Sequence, residues 1–299
     1  MDPFSAEGEL LTLHNAFHQG LYSTVISFPI SSLSASNQTT ARILQLRARI
    51  LSGEAVAILN EFELASADVE GSVELQAVKA FAQYITGDTE EAVAKVEELI
   101  KESKDNETVQ VLGGMVLVRE GRLEEAVEVL KGHQGCLEAL SLMVYIRLSQ
   151  NRTDLAIKEV TAAKKWAQDS MLVNLAESWV GLRQGAEKYQ QSYYVYEELA
   201  QAPISSSAQT LTGQAIAELH LGRLEEAEVA LKMALEKDPN FPEALVAMVV
   251  HNVLAGKETE DVMSTLQTAA PSHIFLQDLK AKSDLFDQAA SKYSPKVAA

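Results

Sequence analysis

Cysteine is nearly absent: Cys136 is the single one in 299 residues. No internal disulfide can form, so the fold must rest on packing, as suits a reducing compartment. Positive charge is also scarce. Lysine and arginine number 25 against 42 aspartates and glutamates, for a net charge of −17. Such a chain lacks the cations that neutralise phosphates, which argues against nucleic acid or an anionic membrane as a partner. Nor is there a block of five like positive charges to make a local basic patch. Long apolar runs are missing too. The longest, residues 244–250, falls far short of the ~20 residues a bilayer span requires. The opening Met1-Asp2-Pro3-Phe4 shows no basic segment followed by an apolar one, and reads as lacking a signal peptide. On that reading the sequons at Asn37, Asn106 and Asn151 carry no meaning, and the expected location is the cytoplasm.

What the sequence does contain is a beat. Turn-type residues recur at Gly20, Gly53, Gly87, Gly121, Asn151, Gly185, Gly222 and Gly256, at intervals of 33, 34, 34, 30, 34, 37 and 34. A 34-residue helix-turn-helix period is that of the tetratricopeptide repeat. Asparagine can stand in at position 151 because, after glycine, it best tolerates the left-handed conformation that ends a helix. The residues after each turn keep the same phase. Gly121-Arg122-Leu123-Glu124-Glu125-Ala126 returns as Gly222-Arg223-Leu224-Glu225-Glu226-Ala227, with more distant copies beginning at Gly87 and Asn151. The acidic pair suits the positive end of a helix dipole, and the alanine is small where two helices must approach closely. The 30-residue interval predicts a short second helix cut by Gly132 and Gly135. The 37-residue interval predicts an insertion around Gly185-Ala186-Glu187-Lys188.

These observations predict an all-α fold: a right-handed α-solenoid of about eight tetratricopeptide-like repeats, with curling into a ring left open. The repeats start near residues 6, 39, 73, 107, 137, 171, 208 and 242 and form one domain over 1–299. Residues 31–40, rich in serine, threonine, alanine and asparagine, read as a loop. An amphipathic helix over 274–290, with Phe275, Leu276, Leu279, Leu285 and Phe286 apolar, reads as a cap over the last repeat.

Candidates for chemistry are few. His14 and His18 have metal-ligand spacing but no adjacent glutamate and no third ligand nearby. Cys136 follows Gly135 and lies three residues after His133, without a recognisable base. Gly113-Gly114 lacks the spacing of a phosphate loop and reads as a close helix contact. The pairs Glu90-Glu91, Glu124-Glu125 and Glu225-Glu226 occur once per repeat and belong to helix starts. No enzyme activity, metal or cofactor is expected.

In stacked repeats of this kind the first helices line the inner, concave face. The residues six and three places before each turn should point into it. Six consecutive units offer apolar pairs there: Phe81 and Tyr84, Met115 and Val118, Tyr145 and Leu148, Trp179 and Leu182, Ile216 and Leu219, Val250 and Val253. The first two units depart from this, with His14 and Phe17, then Arg47 and Ile50. One reading is an apolar groove that grips a partner, since large exposed apolar patches generally mark interaction sites. The other is that the stripe packs between adjacent helices or across a tightly curled superhelix. Either way, apolar side chains disfavour a clamp for an acidic peptide terminus. An adaptor or co-chaperone that binds apolar peptide segments is one function such a groove could serve.

Several strings carry a more specific likeness. They are residues 74–84 with Phe81 and Tyr84, the run Asn15-Ala16-Phe17-His18-Gln19-Gly20, the Gly222 hexad, and the tail with Ala281-Lys282, Phe286-Asp287 and Tyr293-Ser294-Pro295. From about residue 9 to 295 the chain resembles the epsilon-subunit family of coatomer, the coat protein complex I. The resemblance implies a non-enzymatic superhelix, curled nearly into a ring, without a cofactor. It implies binding to the C-terminal domain of the coatomer alpha subunit, around a projecting hairpin. It further implies a role at Golgi membranes in retrieval from Golgi to endoplasmic reticulum, with membrane association only through other coat subunits.

Overall fold

The computed structural model describes residues 8–202 and 205–293. The expected start of the first repeat near residue 6, the Met1–Phe4 opening and the last two residues of the Tyr293-Ser294-Pro295 string lie outside the described residues. The chain divides into two compact units, Met1–Val195 and Tyr196–Ala299. Every regular element among the described residues is a helix.

In the first unit the repeats are helix pairs: α1 (Leu11–His18) with α2 (Tyr22–Ile26), and α3 (Ala35–Arg49) with α4 (Ala55–Leu64). After a short α5 (Ser66–Glu70) come α6 (Val73–Thr86) with α7 (Thr89–Glu102), and α8 (Glu107–Arg119) with α9 (Leu123–Leu130). Next are α10 (Leu137–Ser149) with α11 (Thr153–Ala163), and α12 (Met171–Gln184) with α13 (Glu187–Gln201), inside which the unit boundary falls. The second unit continues with α14 (Ala208–His220) and α15 (Leu224–Lys237), α16 (Pro242–Leu254) and α17 (Glu260–Ala269), and the terminal α18 (Ile274–Ala290). Six of the eight predicted repeat starts coincide with the first residue of a helix, at 73, 107, 137, 171, 208 and 242.

The physical basis of the beat is visible at the turns. All eight turn residues have positive φ, and Asn151, at φ 58°, is one of only two non-glycine residues described that do. That backbone reverses the chain so that the second helix starts two residues later in seven of the eight repeats, and four residues later after Gly256. Ala92, Ala126, Ala156 and Ala227, each five residues past its turn, are fully buried, because a larger side chain would push the paired helices apart. In the sixth repeat the small buried residue is Ser192, seven places after Gly185 rather than five, which puts the insertion where the interval predicted it. Ser192 Oγ lies only 2.6 Å from where a Cβ on Gly181 would sit, so α12 and α13 touch through a glycine. Gly113 and Gly114 do the same in α8: added Cβ atoms would meet Ile100 and Leu130 at 3.0 Å. The short second helix before Gly132 is α9, with eight residues.

Two expectations need correction. The segment 31–40 is not all loop, since α3 begins at Ala35. The reason is a cap from elsewhere in the chain. The Glu9 carboxylate accepts hydrogen bonds from the Ser34 backbone N–H (3.0 Å), the Ser34 hydroxyl (2.8 Å) and the Asn37 amide (2.9 Å), so a helix start is satisfied where local sequence favours a turn. The terminal helix α18 stands at its expected bounds, but it buries none of its residues. Phe286 is 72% exposed, and Ile274, Leu279 and Leu285 are exposed as well, so α18 does not cover the apolar end of the last repeat.

Candidate interaction surfaces

The apolar inner positions of the first unit are placed unevenly. Phe81 is only 3% exposed; it belongs to the core with Val78, Leu112 and Val116, and the Arg119 guanidinium lies 5.8 Å over its ring. It presents no surface to a partner. Tyr84 and Met115 are half-buried against that same core. The Tyr84 hydroxyl donates to the Glu120 carboxylate at 2.6 Å; burial and this bond together push the phenol up to about 12, so it stays protonated. Val118 packs against the Leu117–Leu140 cluster. Leu148 and Trp179 pack against Val144, Ala176 and Val180, and Leu182 is half-buried. Tyr145 is the outlier: it is 50% exposed. In the second unit Ile216 and Leu219 pack beside Ala215 and Leu231, while Val250, Val253 and Leu254 at the end of α16 are exposed. The stripe therefore spends most of its apolar area between neighbouring helices and leaves isolated side chains open.

The inner positions that broke the apolar pattern come together instead. Arg47, from the last turn of α3, forms a two-pronged ion pair with Glu138, in the first turn of α10, 91 residues away. One prong, Nη1 to Oε2, is 3.0 Å. The side chains are 6% and 15% exposed. Phe17 of α1 lies beneath the guanidinium, 4.8 Å from its ring centroid. His14 and His18, with ring centroids 6.3 Å apart, sit in the field of the same pair. Desolvation lowers both imidazoles, His18 to about 4, so they are neutral at pH 7. Burial opposes the Glu138 carboxylate, but the charge and hydrogen bonds of Arg47 outweigh that cost and bring it down to about 2. One repeat further out, the Gln19 amide donates to the Met171 sulfur at 3.1 Å, across 152 residues. The first unit thus curls until its first two repeats touch its fifth and sixth.

The chemistry of this arrangement is structural. Cys136 lies next to the pair, and burial pushes its thiol up to about 11, so it is a poor nucleophile at neutral pH. No group of three or more histidine, cysteine, aspartate or glutamate side chains among the described residues could hold a metal. No helix among them is long and apolar enough to cross a membrane. Sequence reasoning missed Glu138, which looks like any acidic residue at a helix start. The only signal was indirect: Arg47 and His14 occupied positions that were apolar in the other repeats.

Comparison with known proteins places this architecture. The coatomer epsilon subunit family model matches residues 6–294. Coatomer subunit epsilon-1 of Oryza sativa is 27% identical over 94% of this chain and 96% of its own length. The probable coatomer subunit epsilon of Schizosaccharomyces pombe is 30% identical over 82% of this chain and 80% of its own. Among solved structures, a tetratricopeptide repeat protein from Parabacteroides merdae aligns with a TM-score of 0.53 at 12% identity, over 76% of this chain and 96% of that one. That last likeness shows the helical-repeat fold alone, whereas the family match spans nearly the whole chain: this protein belongs to the coatomer epsilon subunit family.

Proposed function

We propose that this chain is a non-enzymatic structural subunit of the coatomer vesicle coat, and that it binds the C-terminal domain of the coatomer alpha subunit. The observation that carries this reading is the family match over residues 6–294, joined to a repeat array whose polar clusters are structural in chemistry. The protein works in retrograde Golgi-to-ER and intra-Golgi transport, on the cytoplasmic side of Golgi membranes and coated vesicles. Its membrane association is indirect, through its partner, since a net charge of −17 gives it no attraction for anionic lipid.

The partner-facing residues are the inner-face side chains of the first unit other than the buried Phe81, with Tyr145 foremost because it is aromatic and half exposed. Exposed aromatic side chains are over-represented among the residues that dominate binding energy. The test is titration of the purified chain with the C-terminal domain of the alpha subunit. Wild type should bind, and Tyr145→Asp or Trp179→Asp should weaken binding at least tenfold while helicity by circular dichroism is kept. Binding that survives both changes rejects the inner-face assignment, and no binding by wild type rejects the partner.

A further inference from the structure

The seam between the first two repeats and the fifth and sixth differs in kind from every other repeat contact in the first unit. Stacked neighbours share buried apolar clusters: Ile43 and Leu46 of α3, with Ile50 just after it, lie in one cluster with Ile58, Val78 and Phe81. Across the seam, among the described residues, there is no shared cluster. On one side Leu10, Leu13, Phe17, Val25, Leu44 and Ala48 form a core of their own. On the other, Val127, Leu130, Leu140, Met143 and Ile146 form another. No residue belongs to both. What joins them is side-chain tips: Arg47, seated over Phe17 on its own side, reaches Glu138, and Gln19 reaches Met171. A contact between two separate cores, held by a planar fork on a carboxylate, can part while the apolar contacts within each core are kept. An apolar joint of the same kind could not.

We propose that the Arg47–Glu138 pair is a releasable latch, which closes the second repeat of the first unit onto the fifth and whose opening admits a partner segment to the inner face of the first unit. The gating half of this proposal rests on the function proposed above; the latch half does not. The fork matters as well as the charge. A guanidinium engages both carboxylate oxygens at once, whereas an ammonium engages them as a point charge. The latch also has a reporter of its own. Cys136 is the only thiol in the chain, sits half-buried two residues before Glu138, and is close enough to feel the Arg47 charge.

The test compares wild type with Arg47→Lys, which keeps the charge and loses the fork, and with Glu138→Gln, which keeps the shape and loses the charge. Both are read by Cys136 reaction with a small maleimide and by amide hydrogen exchange. Arg47→Lys should raise the Cys136 reaction rate at least fivefold. Exchange should quicken about tenfold in residues 11–49 and remain unchanged in residues 208–269. Glu138→Gln should do the same or more. Wild-type rates in both variants overturn the latch. So does faster exchange spread evenly over both units, which would mean that the pair is an ordinary part of a cooperative core. For gating, the association rate constant with the C-terminal domain of the alpha subunit should rise at least threefold in Arg47→Lys. Local opening with an unchanged association rate overturns gating. Absence of binding in wild type removes the function proposed above and leaves the thiol and exchange readings to judge the latch.

Discussion

The two ends of this chain reverse the usual relation between polarity and burial. Near the N-terminus, polar groups are withdrawn from solvent: Arg47 is buried against Glu138 of the fifth repeat, and His14 and His18 lie half-buried beside it. Near the C-terminus, Leu285 and Phe286 of α18 stand in solvent, as do Val253 and Leu254 at the end of α16. Hydrophobicity alone would have placed these groups the other way round. The difference shows that in a solenoid each helix packs mainly on its sequence neighbours. A terminal helix has a neighbour on one side only, and what happens on the open side depends on whether a distant repeat comes within reach. In the first unit the curl supplies such a repeat. In the second unit the described residues supply none for α18.

If that contrast holds, changes at the buried polar end should cost far more than changes at the exposed apolar end. Arg47→Ala leaves the Glu138 carboxylate at the closed seam without its cation, and should weaken seam closure by about 3–5 kcal/mol, read from the local exchange of α3 and α10 amides. A loss below about 1 kcal/mol would mean that the pair is exposed in solution.

Next in size is a packing change in the second unit. A Cβ on Gly213 would overlap the ring of Tyr196, which is itself buried. Gly213→Ala should cost about 1–3 kcal/mol by calorimetry, and Tyr196→Leu in the same background should recover part of it.

Acid should act on the two units in opposite directions. His18 is held neutral in the fold, so below its unfolded value near 6.5 the unfolded chain takes up a proton that the folded chain refuses. The stability of the first unit should therefore fall as pH drops from about 6.5 to about 4, by up to ~1.4 kcal/mol per pH unit. His18→Phe should flatten that slope in a pH series of hydrogen-exchange measurements. Glu218 is the opposite case. It is buried on α14, Oε1 accepts from the Gln214 amide at 2.8 Å, and Oε2 has no hydrogen-bond partner. Burial raises its carboxyl, so its proton is bound more tightly in the fold. That contribution is present at acid pH and is lost as pH rises through the folded value. Glu218→Gln, a permanent mimic of the protonated form, should stabilise the second unit at pH 7 by ~1 kcal/mol and make no difference near pH 4.

The smallest effect is expected at the exposed end. Leu279→Ser combined with Phe286→Ser should change stability by less than about 0.5 kcal/mol. A larger loss would show that α18 packs on the body after all.

Much of the fold could be read in the sequence because the repeat's constraints are local. A left-handed turn residue, an acidic pair and a small residue five places on are all specified within six residues, and Asn151 and Ala126 behave as that logic requires. Helix starts at 73 and 242 follow from the same rule. What could not be read is non-local. Glu9 caps α3 from 25 residues upstream, and Arg47 finds Glu138 across 91 residues. Neither pairing leaves a mark in any window around one partner. The inner-face stripe was a middle case. Its positions were legible, but spacing along one helix says nothing about how closely the next repeat stacks, and that decides why Phe81 is buried while Tyr145 is half exposed.

The central structural claim is that a polar contact, not an apolar core, closes the first unit. The most direct measurement is a double-mutant cycle over Arg47→Met and Glu138→Leu, with local stability read from the exchange of α3 amides. Each single change should be strongly destabilising. The double change should recover most of the loss, with a coupling of at least about 2 kcal/mol. Additive losses, with a coupling near zero, would contradict the claim.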